Sequence, residues 1–213
     1  MRKILFLLIS IVLFTSGLVY VNAISNCLVG KVIVIDVGHG GKDSGTIYKN
    51  IKEKDINLSI ALKLKKELIK HGVEVIMTRD GDYDLSSPKA LRRKKSDFDN
   101  RIKLINESNA DMYISIHINY LDNKKYYGSQ VFYTKGNERM ASVIQNEMIK
   151  QLNSPMEERL LDNSIYMFKR LDIPGVLIEC GFMSNSRERN LLVSDKYQSK
   201  IVKAIVDGLI MYY

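Results

Sequence analysis

The sequence has few cysteines and no repeated segments, and these absences limit the kind of protein it encodes. Among its 213 residues only Cys27 and Cys180 carry thiols. A disulfide framework is therefore excluded as the main source of stability. No internal repeat, low-complexity tract or second domain is visible. The length and the composition, with 46% hydrophobic and 26% charged residues, predict one globular domain with a single core.

The N-terminal segment has the pattern of an export signal. Arg2 and Lys3 precede an apolar stretch that ends in a small-x-small pattern at Ala23. This order predicts a signal peptide over residues 1–23, cleaved after Ala23, and then a short linker at 24–30. An uncleaved membrane anchor is the alternative, because the apolar stretch is close to the minimum length of a spanning helix.

The chain is basic, with a formal net charge of +8, and its densest basic run covers residues 92–95. Behind an export signal, such a run suits an anionic cell-wall or membrane surface better than nucleic acid. A solvated charged loop without a specific partner is the simpler interpretation of the same run. We expect the protein to be exported across the cytoplasmic membrane.

From residue 31 onward, strand-like and helix-like patterns alternate, which is typical of an α/β fold with a mostly parallel twisted sheet between layers of helices. Helix 55–71, for example, is indicated by an apolar residue at every fourth position followed by a glycine. The predicted strands cover residues 32–35, 73–78, 112–117, 130–134 and 175–178. The other predicted helices cover residues 98–109, 138–152 and 195–213, and a polar loop is expected at 80–97.

Polar clusters stand where three of the predicted strands end, at residues 36–41, 115–119 and 179–182. In an open α/β sheet, ligands bind outside the carboxyl ends of the strands. His39 and His117 lie in two of these clusters, and imidazole is a common ligand of catalytic zinc. Either histidine alone could be structural. His71 is interpreted as structural, because a cation at the end of a helix complements the helix dipole.

A catalytic zinc commonly takes a third protein ligand, and a carboxylate near the first cluster suits this role. The spacing leaves four candidates open, which are Asp36, Asp43, Glu53 and Asp55. Glu53 lies on the segment that returns from the glycine-rich turn, so its carboxylate can reach the edge of the sheet.

Four motifs together resemble those of a known enzyme family. They are DVGHGG at 36–41, EKDINL at 53–58, SIHIN at 115–119 and ECGFMSN at 179–185. In this order they resemble the motifs of the zinc-dependent N-acetylmuramoyl-L-alanine amidases of the amidase-3 type, from about residue 31 to the C-terminus. The resemblance implies a single three-layer α/β catalytic domain over residues 31–213.

Carried over residue by residue, the resemblance makes His39, Glu53 and His117 the ligands of one zinc ion and Glu179 the catalytic carboxylate. It implies hydrolysis of the amide between N-acetylmuramic acid and L-alanine in peptidoglycan, with zinc-activated water and a carboxylate that transfers protons. The compact layout is similar to the spore-cortex, germination-specific type of these enzymes. Their removal of stem peptides is the first step toward muramic-δ-lactam. This resemblance implies a location in the cell wall or in the space between the membranes of a forespore.

Two residues depart from the family pattern, Val37 in place of a proline and Ile118 in place of a small residue. Proline would fix φ just before His39, so we expect its absence to loosen this turn and weaken zinc binding. Wall-binding modules of the family are not visible in the chain. Both observations favour a separate exported or lipoprotein partner that tethers the enzyme or supports its zinc site.

Two other functions are compatible with the same residues. A zinc peptidase that cuts within the stem peptide could use the same ligands. A degenerate amidase domain could instead bind glycan or a partner without turnover. The presence of Glu179 argues against the second alternative, because a binding protein needs no general base.

Overall fold

The computed structural model describes residues 27–161 and 165–213. The predicted signal peptide and the first three residues of the predicted linker, 24–26, lie outside these residues. None of the helices in the described ranges is long and apolar enough to cross a membrane.

A six-stranded mixed sheet forms the centre of the domain. Its strand order is β4-β1-β5-β8-β6-β7, and every neighbouring pair is parallel except β8 and β6. The strands in sheet order are β4 (Glu74–Met77), β1 (Val32–Val37), β5 (Met112–Asn119), β8 (Gly175–Phe182), β6 (Gln130–Tyr133) and β7 (Arg159–Leu160). A separate hairpin is formed by β2 (Ile47–Tyr48) and β3 (Ile51–Lys52). The prediction of a mostly parallel sheet is confirmed.

The described helices pack on both faces of this sheet. They are α1 (Glu53–Lys70), α2 (Arg93–Asn106), α3 (Glu138–Leu152), α4 (Ser186–Leu192) and α5 (Asp195–Tyr212), with a 3-10 turn at Phe168–Arg170. Alternation along β1 explains the two layers, since Ile33 and Ile35 join the larger core with α1, α3 and α5, whereas Val34 joins a smaller core on the other face with α2. The expected three-layer α/β domain is therefore present.

The predicted start of one helix differs from the structure for an identifiable reason. Helix α2 begins at Arg93, not at residue 98, so three residues of the basic run form its first turn. The prediction failed there because cations are unfavourable near a helix N-terminus. Here Arg93 pairs with Asp84 and Lys95 with Asp99, which offsets that cost.

Candidate metal centre

His39 lies in the turn that follows β1 and has a left-handed backbone conformation, with φ of 61°. Its Nε2 atom is 3.1 Å from Oε1 of Glu53, and its Nδ1 atom is 3.0 Å from Oδ2 of Asp43. Burial alone would lower the pKa of His39, but these contacts with Asp43 and Glu53 raise it to about 9. A carboxylate on the second ring nitrogen is the arrangement that fixes ring orientation in metal-binding histidines.

His117 projects from β5 toward the same point. Its Nδ1 atom is 3.2 Å from Oε1 of Glu53, and the two histidine rings meet edge to face with centroids 5.1 Å apart. Gly38 makes this approach possible, because a Cβ atom at that position would lie 2.4 Å from Cε1 of His117. The glycine after β1 is therefore required by the histidine of β5.

Glu53 is the first residue of α1 and is only 3% exposed. Its Oε1 atom accepts a hydrogen bond from the backbone N–H of Ile118 (3.1 Å), and Oε2 accepts one from that of Thr46 (2.9 Å). Burial alone would raise the pKa of Glu53, but contacts with His117 and His39 hold it well below its usual range. Glu53 is thus an ionised carboxylate, the form that binds metals.

The structure brings His39, Glu53 and His117 together, with one donor atom from each within 4.8 Å of the others. Two imidazoles and one carboxylate match the donor set of catalytic zinc sites, so these three residues can hold a metal ion. They come from a turn, a helix start and a strand that converge at the carboxyl ends of β1 and β5.

The other candidate ligands are not part of this group. Asp36 is buried and pairs with Arg101. Asp43 contacts Nδ1 of His39, and Asp55 is exposed on α1. His71 caps the opposite end of α1, where its Nε2 atom is 4.0 Å from Glu67.

Glu179 lies in β8 directly beside His117 in the sheet register. It lines a cleft of about 440 Å³ together with all three residues of the metal-binding group. Its Oε2 atom is buried without a hydrogen-bond partner, and burial raises the pKa of this carboxyl group to about 7. A carboxyl group with such a pKa can exchange protons at neutral pH.

Val37 does not leave the histidine turn free, contrary to what the sequence suggested. Its N–H donates to Oγ1 of Thr78 (2.9 Å), and its carbonyl accepts from Arg101 (2.7 Å) and Arg79 (3.2 Å). These hydrogen bonds restrain the backbone at Val37, as a proline would do by fixing its φ angle. Both arginines are buried and were missed in the sequence, where nothing distinguishes them from solvated charges.

The fold and this site define an α/β protein with a metal-binding donor set at the carboxyl edge of its sheet. The sequence profile of the Amidase_3 family, N-acetylmuramoyl-L-alanine amidase, matches residues 33–211. The chain therefore belongs to this family, as its motifs predicted. It is a hydrolase of the amide between N-acetylmuramic acid and L-alanine in peptidoglycan.

Several relatives support this membership. A germination-specific N-acetylmuramoyl-L-alanine amidase of Bacillus subtilis is 40% identical over 192 residues, covering 87% of this chain and 81% of the relative. The CwlD amidase of Clostridioides difficile, solved in complex with the GerS lipoprotein, superimposes with a TM-score of 0.82 at 40% identity, covering 86% and 98% of the two chains. An N-acetylmuramoyl-L-alanine amidase of Clostridium difficile 630 gives a TM-score of 0.76 at 30% identity, covering 85% and 96%.

Proposed function

We propose that the amidase depends on one zinc ion held by His39, Glu53 and His117, and that Glu179 is its catalytic acid and base. The observation that carries this proposal is the convergence of the three donor atoms within 4.8 Å in the cleft that Glu179 also lines. When bound, zinc would supply an acidified water and polarise the substrate carbonyl.

The residues of the chain supply the remaining chemistry. Glu179 takes the proton from the attacking water and delivers it to the leaving nitrogen of L-alanine. Burial favours the protonated form of Glu179, so the second transfer is within its reach near neutral pH. Asp43 holds the ring of His39 through Nδ1, which leaves Nε2 directed at Glu53.

We assign the enzyme to spore cortex, where stem-peptide removal is the first step toward muramic-δ-lactam. Support comes from the germination-specific relative of Bacillus subtilis at 40% identity and from the CwlD structure. In the same proposal, residues 1–23 direct export as a signal peptide or an uncleaved anchor, residues 24–30 form a linker, and residues 31–213 form the catalytic domain.

The proposal includes an exported lipoprotein partner, because the CwlD structure contains the GerS lipoprotein. The hydrogen bonds around Val37 favour tethering over ordering of the zinc site as the role of this partner. The test compares zinc content and activity of the isolated protein and of the protein co-purified from its native compartment. Full zinc occupancy in both preparations, with wall attachment only in the second, is expected. Zinc loading only with the partner would contradict the tethering role.

The zinc proposal is tested by metal analysis and by product analysis on purified peptidoglycan. Removing any one ligand leaves two, so His39→Ala, Glu53→Ala and His117→Ala should each lose stoichiometric zinc and the release of free N-terminal L-alanine. Asp55→Ala is the matched control for Glu53, and His71→Ala is the control for the histidines. A Glu53→Ala variant that keeps zinc while Asp55→Ala loses it would contradict the assignment.

A further inference from the structure

The turn that carries His39 is surrounded by buried cations that bind its backbone carbonyl groups. Arg101 donates to the carbonyls of Val37 (2.7 Å) and His39 (2.6 Å). Lys54 donates through Nζ to the carbonyl of Gly41 (2.8 Å). Hydrogen bonds from charged donors are about twice as strong as neutral ones, so this turn is firmly held.

Arg79 differs from these cations because it joins two segments of the metal-binding group. Its Nη2 atom donates to the carbonyl of Gly38 (2.9 Å), just before His39, and to that of Lys54 (2.8 Å), just after Glu53. Nε and Nη1 donate to the carbonyls of Val37 and Gly81. Within the described residues, all of its acceptors are therefore backbone carbonyls.

We propose that Arg79 is a positioning residue that sets the distance between His39 and Glu53 for metal binding. Its side chain is only 1% exposed, and burying a guanidinium without an ion-pair partner is costly. A planar group with donors in fixed directions can hold two carbonyls at a set separation, which a lysine ammonium cannot reproduce. The inference rests on the proposed metal centre and adds a residue that does not touch the metal.

Charge and geometry predict opposite effects of changing Arg79. If Arg79 acted only through its charge, Arg79→Gln would tighten zinc binding, because a buried positive charge beside a cation site repels the metal. Arg79→Lys would then have no effect. If Arg79 acts by positioning, both substitutions weaken zinc binding, since neither side chain spans the two carbonyls.

The experiment measures zinc dissociation constants by competition with a chelator on the purified protein, together with the visible absorption of the cobalt-substituted form. We expect both variants to raise the zinc dissociation constant by about 10- to 100-fold, the usual effect of losing an outer partner of a metal ligand. The cobalt spectrum should shift as well, because the ligand geometry changes. Arg79→Lys, which retains the charge, decides the question if Arg79→Gln does not fold.

Two controls separate positioning from loss of stability. Arg170→Lys changes another arginine that donates to a backbone carbonyl, that of Tyr166, outside the metal centre. Ile205→Val removes a methylene from the core at α5. Both should leave zinc affinity unchanged, although Ile205→Val lowers the melting temperature. Unchanged affinity and an unchanged cobalt spectrum in Arg79→Lys would overturn the inference, whereas failure of the wild type to bind zinc would overturn the metal centre itself.

Discussion

At the scale of single residues, Glu179 is the group whose chemistry is most sharply testable. Glu179→Gln keeps the shape of the side chain but cannot carry a proton between water and the leaving nitrogen. We expect the hydrolysis rate on purified peptidoglycan to fall by about 10²- to 10⁴-fold, the usual contribution of a general acid or base. Zinc content should stay at one ion per chain, because Glu179 is not assigned as a ligand.

Glu157→Gln is the matched control, since Glu157 is exposed and lies outside the cleft. This variant should hydrolyse peptidoglycan at the wild-type rate. Near-normal turnover by Glu179→Gln would contradict the role of Glu179 as general acid and base. Loss of zinc from this variant would show that Glu179 is a metal ligand.

Asp36 is a residue whose role is structural although it belongs to the first motif. It is 1% exposed, and it accepts hydrogen bonds from Arg101 (2.7 Å) and Ser115 (2.6 Å). Burial alone would raise the pKa of Asp36, but Arg101 and Ser115 hold it below its usual range. Asp36→Asn leaves Arg101 paired with Asp97 alone but weakens its buried hydrogen bonds, so we expect a loss of about 1 to 3 kcal/mol in the free energy of unfolding.

The ion pair of Asp36 with Arg101 also predicts how the free energy of unfolding depends on pH. A carboxylate whose pKa is lowered by folding stabilises the protein above its unfolded pKa, near 3.9, and loses this contribution as pH falls through the folded value. In urea titrations, the stability difference between wild type and Asp36→Asn should be constant from pH 5 to pH 8 and should narrow below about pH 4. A difference that stays constant down to pH 2 would show that the charge of Asp36 contributes nothing.

At the scale of helices and strands, the contact between α3 and α5 depends on a glycine. A Cβ atom at Gly208 would lie 2.6 Å from Cα of Ile144, so the two helices would have to separate. Gly→Ala in an exposed helix stabilises by about 1 kcal/mol. For Gly208→Ala we expect the opposite sign, a loss of about 1 to 3 kcal/mol in urea-induced unfolding. Ser199→Ala, on the exposed side of α5, should change stability by less than about 0.5 kcal/mol.

The shortest strands and helix of the fold were not predicted from the sequence, and their length is the reason. Strands β2, β3 and β7 have two residues each, and α4 has seven. Such segments are too short to show the period-2 or period-3.6 alternation on which prediction from sequence depends. The hairpin of β2 and β3 nevertheless matters to the site, because the Thr46 N–H before it binds Glu53.

At the scale of the whole molecule, the proposed metal site links separate parts of the chain. Its ligands come from the turn after β1, the start of α1 and β5, so zinc should bind the folded state in preference to the unfolded one. At a free zinc concentration 100 times the dissociation constant, mass action adds about 2.7 kcal/mol to stability. Calorimetry should show a higher melting temperature with zinc than with a chelator in the wild type. Glu53→Ala should show no such shift, and an equal shift in both proteins would place the zinc elsewhere.

The amino-acid sequence by itself determined the α/β class, the family and the order of the motifs. These features are local, because strand and helix patterns and the residues that follow each strand can be recognised along the chain. The two histidines stood out by their place at strand ends, whereas Glu53 and Glu179 were named through the family resemblance, because spacing alone left the third ligand open among four carboxylates.

Only the tertiary structure showed that the carboxylate of Glu53 lies beside both histidines, and which groups hold these three residues in place. The carboxylate of Glu53 accepts hydrogen bonds from the N–H of Ile118, 65 residues away, and from that of the nearby Thr46. Asp36 is instead paired with Arg101. Arg79 likewise donates to backbone carbonyls of two segments that come together only in the folded protein. A buried arginine and a solvated one look alike in a sequence, because the difference lies in which backbone groups folding brings within hydrogen-bond distance.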